Sequence, residues 1–262
     1  MEKGITFYRK PHLERPDFIA AWPGMGNVAL KAASFLRDNL KAEKFAEIES
    51  GDFFPLSGII IRENLVETPR LPKSTFYSWK GSAPCKDLLI FIGDAQPSSG
   101  KEYAFVDLVM DVAMKVGVER LYTFAAMPSN IGHKQVPRVW GVATHLKLIE
   151  ILKEFDVRIM SDGHISGLND SLLGMAKMRG IEGTCLLGEI PYYATQIENP
   201  RSSKVVLEVL GSMLKIDIDM TELETLARYT ETEIEKYIRQ ISEDIQFEKM
   251  LRKGERGPGY VH

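Results

Sequence analysis

Phe18-Ile19-Ala20-Ala21-Trp22-Pro23-Gly24-Met25-Gly26-Asn27-Val28-Ala29 reads as a strand, a glycine turn and the start of a helix. The apolar run supplies the strand, and Val28, Leu30, Ala33, Phe35, Leu36 and Leu40 continue in helical spacing. A strand that enters a helix through a tight turn is the unit from which parallel α/β sheets are assembled. It is also the layout that cradles a phosphate on the free amides of the helix. Gly24, Gly26 and Ala29 fit G-x-G-x-x-[GA], and Glu49 follows about 20 residues on, where a ribose-binding acid would sit. Against a nucleotide, Pro23 stiffens the turn, and Asn27-Val28 lacks the small spacers that admit a pyrophosphate. The stretch therefore speaks more strongly for a fold class than for a ligand.

Working outward, short apolar runs alternate with amphipathic ones, the rhythm of an α/β protein with a largely parallel sheet. Strands are expected over 18–22, 44–48, 58–62, 75–79, 87–92, 120–125, 138–144, 158–161 and 183–187. Helices are expected over 28–40, 102–116, 145–155, 171–179 and 202–214. The early strands lie too close together for helical crossovers between all of them, so part of the sheet is expected to be antiparallel. The chain changes character near Asp219. Thr221-Glu222-Leu223-Glu224 and Thr230-Glu231-Thr232-Glu233 both fit the capping box, predicting two helices, over 221–229 and 231–252. The second aligns Ile234, Ile238, Ile241 and Ile245 on one stripe, either docked on its own domain or packed against another subunit. Three glycines and Pro258 follow, and the chain closes on Tyr260-Val261-His262. This divides the chain into an α/β domain at 1–218, a helical extension at 219–253 and a flexible tail at 254–262.

The composition narrows the function classes. A formal net charge of -3 gives no broad positive field for nucleic acid or anionic lipid. No apolar run approaches the roughly 20 residues of a membrane span, and Met1 to Lys10 has no signal-peptide core, so a cytoplasmic protein is expected. Cys85 and Cys185 stand far apart, with no C-x-x-C and no Cys/His cluster, so neither a disulfide framework nor a metal site is expected.

Three loops fall where a parallel sheet collects its ligand-binding segments, at the carboxyl ends of strands. They contain Gly24, Met25, Gly26 and Asn27; Asp94 and Ser98; and His164 and Asn169. One reading is a shared crevice, in which an anion would sit on the amides of Gly24 to Asn27. The other is local: Asn27, Ser99 and Asn169 cap helices, and the glycines make tight turns. Catalytic schemes are weaker. Ser98 as nucleophile with His164 as base and Asp94 as orienter requires two loops to meet. A G-x-S-x-G elbow and a Walker-type loop are both absent, His133 sits in a polar loop, and no residue is assigned a catalytic role.

Taken together, Pro23-Gly24-Met25-Gly26-Asn27-Val28-Ala29, Gly93-Asp94-Ala95-Gln96-Pro97, Ile165-Ser166-Gly167-Leu168-Asn169 and Gly183-Thr184-Cys185-Leu186-Leu187-Gly188-Glu189 resemble the proteasome assembly chaperone 2 family. The likeness covers roughly residues 15 to 245. It implies a three-layer α/β/α sandwich with a mostly parallel mixed sheet, similar to phosphorylases and hydrolases, plus the C-terminal helical extension. It further implies a non-enzymatic, oligomeric chaperone or adaptor that needs no cofactor and has proteasome α-subunits as partners. Relatives with docking tails end hydrophobic, tyrosine, any residue. Here Tyr260 takes the hydrophobic position and Val261 the tyrosine position, so Tyr260, Val261 and His262 resemble that signal without matching it. Homo-oligomerisation as a trimer or tetramer is expected from the isoleucine stripe and from Tyr192 and Tyr193. The alternative is a small-molecule enzyme or binding protein for a nucleoside- or phosphate-type ligand, built on the three loops.

Overall fold

The computed structural model describes residues 4–54, 58–68 and 71–254. A nine-stranded sheet carries the fold. Its strands, in spatial order, are β1 (Ile5–Phe7), β3 (Glu43–Ile48), β6 (Ser74–Trp79), β7 (Leu88–Gly93), β2 (Asp17–Ala21), β8 (Arg120–Ser129), β11 (Glu182–Pro191), β9 (Val139–Ala143) and β10 (Arg158–Ile159). β7, β2, β8 and β11 run parallel through the centre. β1, β3 and β6 form an antiparallel meander at one side, and β9 pairs antiparallel with β11 at the other.

The two faces of β2 explain why its sequence is apolar without alternation. Ile19 and Ala21 join a core with α1 (Val28–Asn39), α5 (Pro200–Leu214) and Leu152 of α3 (Leu146–Glu154). Phe18 and Ala20 join the opposite core with α2 (Glu102–Val116) and α4 (Leu168–Met178). A strand with helices on both sides has no wet face, so every position is buried. The result is the three-layer α/β/α sandwich. Trp22 closes the second core, with its ring against Phe91 and Phe105 at centroid distances of 5.0 and 6.2 Å. Gly93 leaves room for it: a Cβ there would lie 2.4 Å from the indole.

Several elements differ from their sequence-based expectation, and β1 had none. Of the strand expected over 58–62, only β4 (Ile61–Arg62) forms, paired with β5 (Leu65–Val66) in a separate two-stranded sheet. Glu63 and Asn64 both adopt positive φ, 49° and 66°, which turns the chain back after two residues. β8 and β11 continue beyond their apolar runs because they pair with each other along all ten residues, through Pro191 opposite Ser129. Finally, the two C-terminal helices are one, α6 (Thr221–Gly254). Asp219, rather than Thr221, supplies its cap, accepting from the Thr221 amide at 3.0 Å and hydroxyl at 2.6 Å. Thr232 sits inside the helix with its hydroxyl donated to the Arg228 carbonyl at 3.0 Å. No glycine or proline interrupts 221–253, so the second Thr-x-x-Glu has nothing to start.

α6 is fastened along its first turns. Leu223, Ala227 and Ile234 are buried. Arg201 of α5 pairs with Glu224 and Glu231, and Lys204 reaches Glu224 at 3.2 Å. Beyond Ile234 the contact loosens: Tyr237 is exposed, and Ile238 and Ile241 are 39% and 40% exposed. Of the stripe, Ile234 docks on its own domain, whereas Ile238 and Ile241 are partly exposed. The expected tail at 254–262, with Tyr260, Val261 and His262, lies outside the described residues apart from Gly254. Among the described residues no helix is long and apolar enough to cross a membrane.

Candidate functional site

Parts of the three loops meet in a crevice of about 180 Å³ at the carboxyl ends of the central strands. Pro23, Gly24 and Met25 form one wall, Gln96 a second, and His164 to Gly167 with Asn169 a third, above Ala125 to Pro128 of β8. Gln96 ties two loops together by donating its side-chain amide to the Pro23 carbonyl at 2.7 Å. A larger hollow, about 990 Å³, lies at the opposite end of the sheet under Arg9 to Glu14, lined by Lys41, Glu43, Ser78 and Lys80. It is an open groove of mixed charge, bounded by the segment Arg9 to Glu14, by the turn at Lys41 and by the loop at Lys80.

The candidate residues divide between the crevice and other duties. Gly24, Met25, His164 and Asn169 line it. Asn169 is also a fastener, since its buried Oδ1 accepts from the Trp22 amide at 3.2 Å and joins the end of β2 to α4. Gly26 faces away, buried beside Asn199 and Ile190 at φ 59°. Its amide donates to the Thr195 carbonyl and its carbonyl accepts from the Asn199 amide, both at 2.8 Å. Asn27 occupies the N-cap position of α1 in left-handed conformation, and its side chain makes no capping bond.

These bonds decide what the glycine turn is. The amide of Asn27 donates to Gly24 and that of Val28 to Met25. The amides of Gly26, Asn27 and Val28 are thus already bonded inside the protein. A phosphate cradle requires such amides free. The turn is a joint between β2 and the β11–α5 connection.

Asp94 and Ser98 also stand outside the crevice. Asp94 exchanges bonds with Lys73, its amide donating to the Lys73 carbonyl at 2.8 Å and its Oδ2 accepting from the Lys73 amide at 3.2 Å. Ser98 donates both its amide and its hydroxyl to the Phe53 carbonyl, at 2.9 and 3.0 Å. The Ser98, His164 and Asp94 scheme has no geometry to support it. His133, in its polar loop, holds Tyr193: the Tyr193 hydroxyl accepts from its amide at 2.9 Å and lies 2.9 Å from its Nδ1.

One crevice residue carries no sequence signal. Asp170, in the first turn of α4, lines the crevice beside the buried Cys185 thiol, 3.7 Å from its Oδ1. Burial pushes its carboxyl up to about 7, only weakly offset by the thiol contact. Burial also pushes the Cys185 thiol up, and the Asp170 charge adds to this, so the cysteine stays protonated and unreactive. In the sequence Asp170 looks like any acid in the first turn of a helix. Its environment comes from β11, which the chain reaches only later.

The α/β/α sandwich thus presents a crevice where Gly24, Met25, His164 and Asn169 meet, beside a glycine turn whose amides at 26–28 are bonded within the protein. The chain belongs to the PAC2 family, which it matches over residues 18–238. Among solved structures it is similar to Pyrococcus furiosus PbaB, an archaeal proteasome activator, with 32% identity, 91% of this chain and 98% of that chain covered, and a TM-score of 0.76. It is also similar to P. furiosus PbaA, an archaeal homologue of proteasome-assembly chaperone, with 25% identity, 92% and 99% covered, and a TM-score of 0.69. An uncharacterized protein of Methanocaldococcus jannaschii is 30% identical over 226 residues, 86% of this chain and 83% of the relative.

Proposed function

We propose that this chain is a non-catalytic, oligomeric adaptor of the cytoplasm that acts on the proteasome, in the manner of an assembly chaperone or activator. The observation that carries the reading is the end-to-end likeness to PbaB, a proteasome activator, at 32% identity. PbaA, a homologue of proteasome-assembly chaperone, supports the same partner class.

The long helix gives this reading a physical means. α6 runs 34 residues, roughly 50 Å at 1.5 Å per residue, and its first turns are buried on the domain through Leu223, Ala227 and Ile234. It leads to the segment 255–262, which ends Tyr260-Val261-His262. A tyrosine in such a segment offers a large apolar contact with few torsions to freeze. One such segment binds weakly, and several copies on one oligomer bind with avidity. The phosphorylase-like alternative has less support, because three of the amides it would use, those of Gly26, Asn27 and Val28, are bonded internally.

The test is a pull-down of archaeal proteasome α-subunits with the full chain and with one lacking 254–262. Capture by the full chain, lost on truncation at unchanged melting temperature, is the expected result. Equal capture by both would remove the tail from the reading. Capture by neither would remove the α-subunits.

A further inference from the structure

We propose that the crevice at the strand ends binds a primary alkylammonium group, with the Asp170 carboxylate as its counter-ion. This activity is additional to the adaptor role and does not rest on it. Among the described residues that line the crevice, Asp170 is the one acid, and none is a lysine or arginine. Its Oδ1 has the Cys185 thiol as a neighbour at 3.7 Å, and a thiol is a weak donor. A carboxyl buried with so poor a partner is costly to ionise, which is why burial holds it near 7. An entering cation supplies the missing charge and a charge-assisted bond.

The rest of the lining selects the kind of cation. Met25, Met127 and Met160 share the crevice with Ile165 and Leu187, an apolar wall for a hydrocarbon stem. Methionine is unbranched and adapts to such a stem, and Met25 is 46% exposed at present. With Oδ1 beside the thiol, Oδ2 is left to a single donor, which suits an ammonium better than a two-pronged guanidinium. Ser166 and His164 stand on the same wall and carry further acceptor atoms. The volume of about 180 Å³ corresponds to roughly six waters at about 30 Å³ each, room for an ammonium with about four carbons.

Other ligand classes fit less well. Among the described residues no group of three or more His, Cys, Asp or Glu is placed to hold a metal ion. An anion meets the bonded amides of Gly26, Asn27 and Val28 on one side. On the other side the first turn of α4 offers its dipole, but Asp170 stands in that turn and already places a negative charge there.

Methyl NMR of the full chain, isotope-labelled at the methionine ε-methyls, tests this by titration with n-butylammonium chloride at constant ionic strength. The Met25, Met127 and Met160 methyls are expected to shift saturably, with a Kd on the order of 1 mM for so small a ligand. Butanol and butyrate, of the same length, are expected to bind at least about tenfold more weakly. Asp170→Asn keeps the shape and removes the charge, and is expected to cancel the preference for the ammonium over the alcohol. Between pH 6 and pH 8 the Asp170 carboxyl passes from about one-tenth to about nine-tenths ionised, so affinity for the ammonium is expected to rise about tenfold. The other titratable groups facing it are the Cys185 thiol, which stays protonated, and His164. His164→Gln is expected to leave the rise in place. Nα-acetyl-lysine methylamide distinguishes the sources: binding like butylammonium assigns the site to a partner's lysine side chain, and exclusion assigns it to a free amine. Equal affinity for ammonium and alcohol, a full response in Asp170→Asn, or no shift of the three methyls up to about 20 mM would overturn the proposal. The proteasome pull-down is judged separately from all of these.

Discussion

Asp170 is buried beside a thiol at the crevice wall, and its carboxyl titrates near 7 where the unfolded chain titrates near 3.8. Between those values the folded state holds a proton that the unfolded state lacks, so stability falls as pH rises from about 4 through 7. Asp170→Asn abolishes the ionisation. We expect the variant to exceed the wild type at pH 8 by roughly 1–3 kcal/mol in urea denaturation, allowing for screening at the crevice mouth, and the gap to close near pH 4. An equal gap at both pH values would show that Asp170 is not titrating there. The neighbouring Asn169 shows what residue-by-residue reading can reach. Its place beside a strand-end loop was legible, but not its bond to the Trp22 amide, because that partner lies 147 positions away. Gly26 is similar: the need for glycine was visible, whereas its engagement with Thr195 and Asn199 depends on a connection formed by the far end of the chain.

Elements were legible where one physical signal dominated. α2 was expected over 102–116 and occupies Glu102–Val116, since its apolar spacing is regular and Gly117 ends it in left-handed conformation. The ends of β8 and β11 were not visible. Pro128 and Glu189 interrupt the apolar pattern, yet Glu189 is buried and satisfied, accepting from the Arg138 amide and the Trp140 indole at 3.0 Å. α6 was read as two helices because its capping signals are equally good as helix interior. Its burial separates two kinds of isoleucine. Ile234→Ala is expected to cost about 2–4 kcal/mol by emptying a packed position. Ile238→Glu/Ile241→Glu is expected to change protomer stability by less than about 1 kcal/mol. Thermal melts of the two variants check this, and a large loss in the second would show that the outer stripe is packed within the protomer.

At the scale of the whole molecule, the α/β class with a largely parallel sheet followed from alternating patterns, and the three-layer sandwich and the family from four separated motifs that no single loop would have identified. The crevice emerged only in part. Gly24, Met25, His164 and Asn169 meet there, whereas Asp94 and Ser98 secure the connection that bears β4 and β5. The loops nearest the strand ends thus serve assembly of the fold as much as any ligand. The most direct measurement is co-sedimentation of the fluorescently labelled full chain with an assembled archaeal core proteasome. The account predicts that the label moves with the core at micromolar concentration, an affinity of roughly 8 kcal/mol. Label remaining in the slow peak up to about 0.1 mM would contradict it.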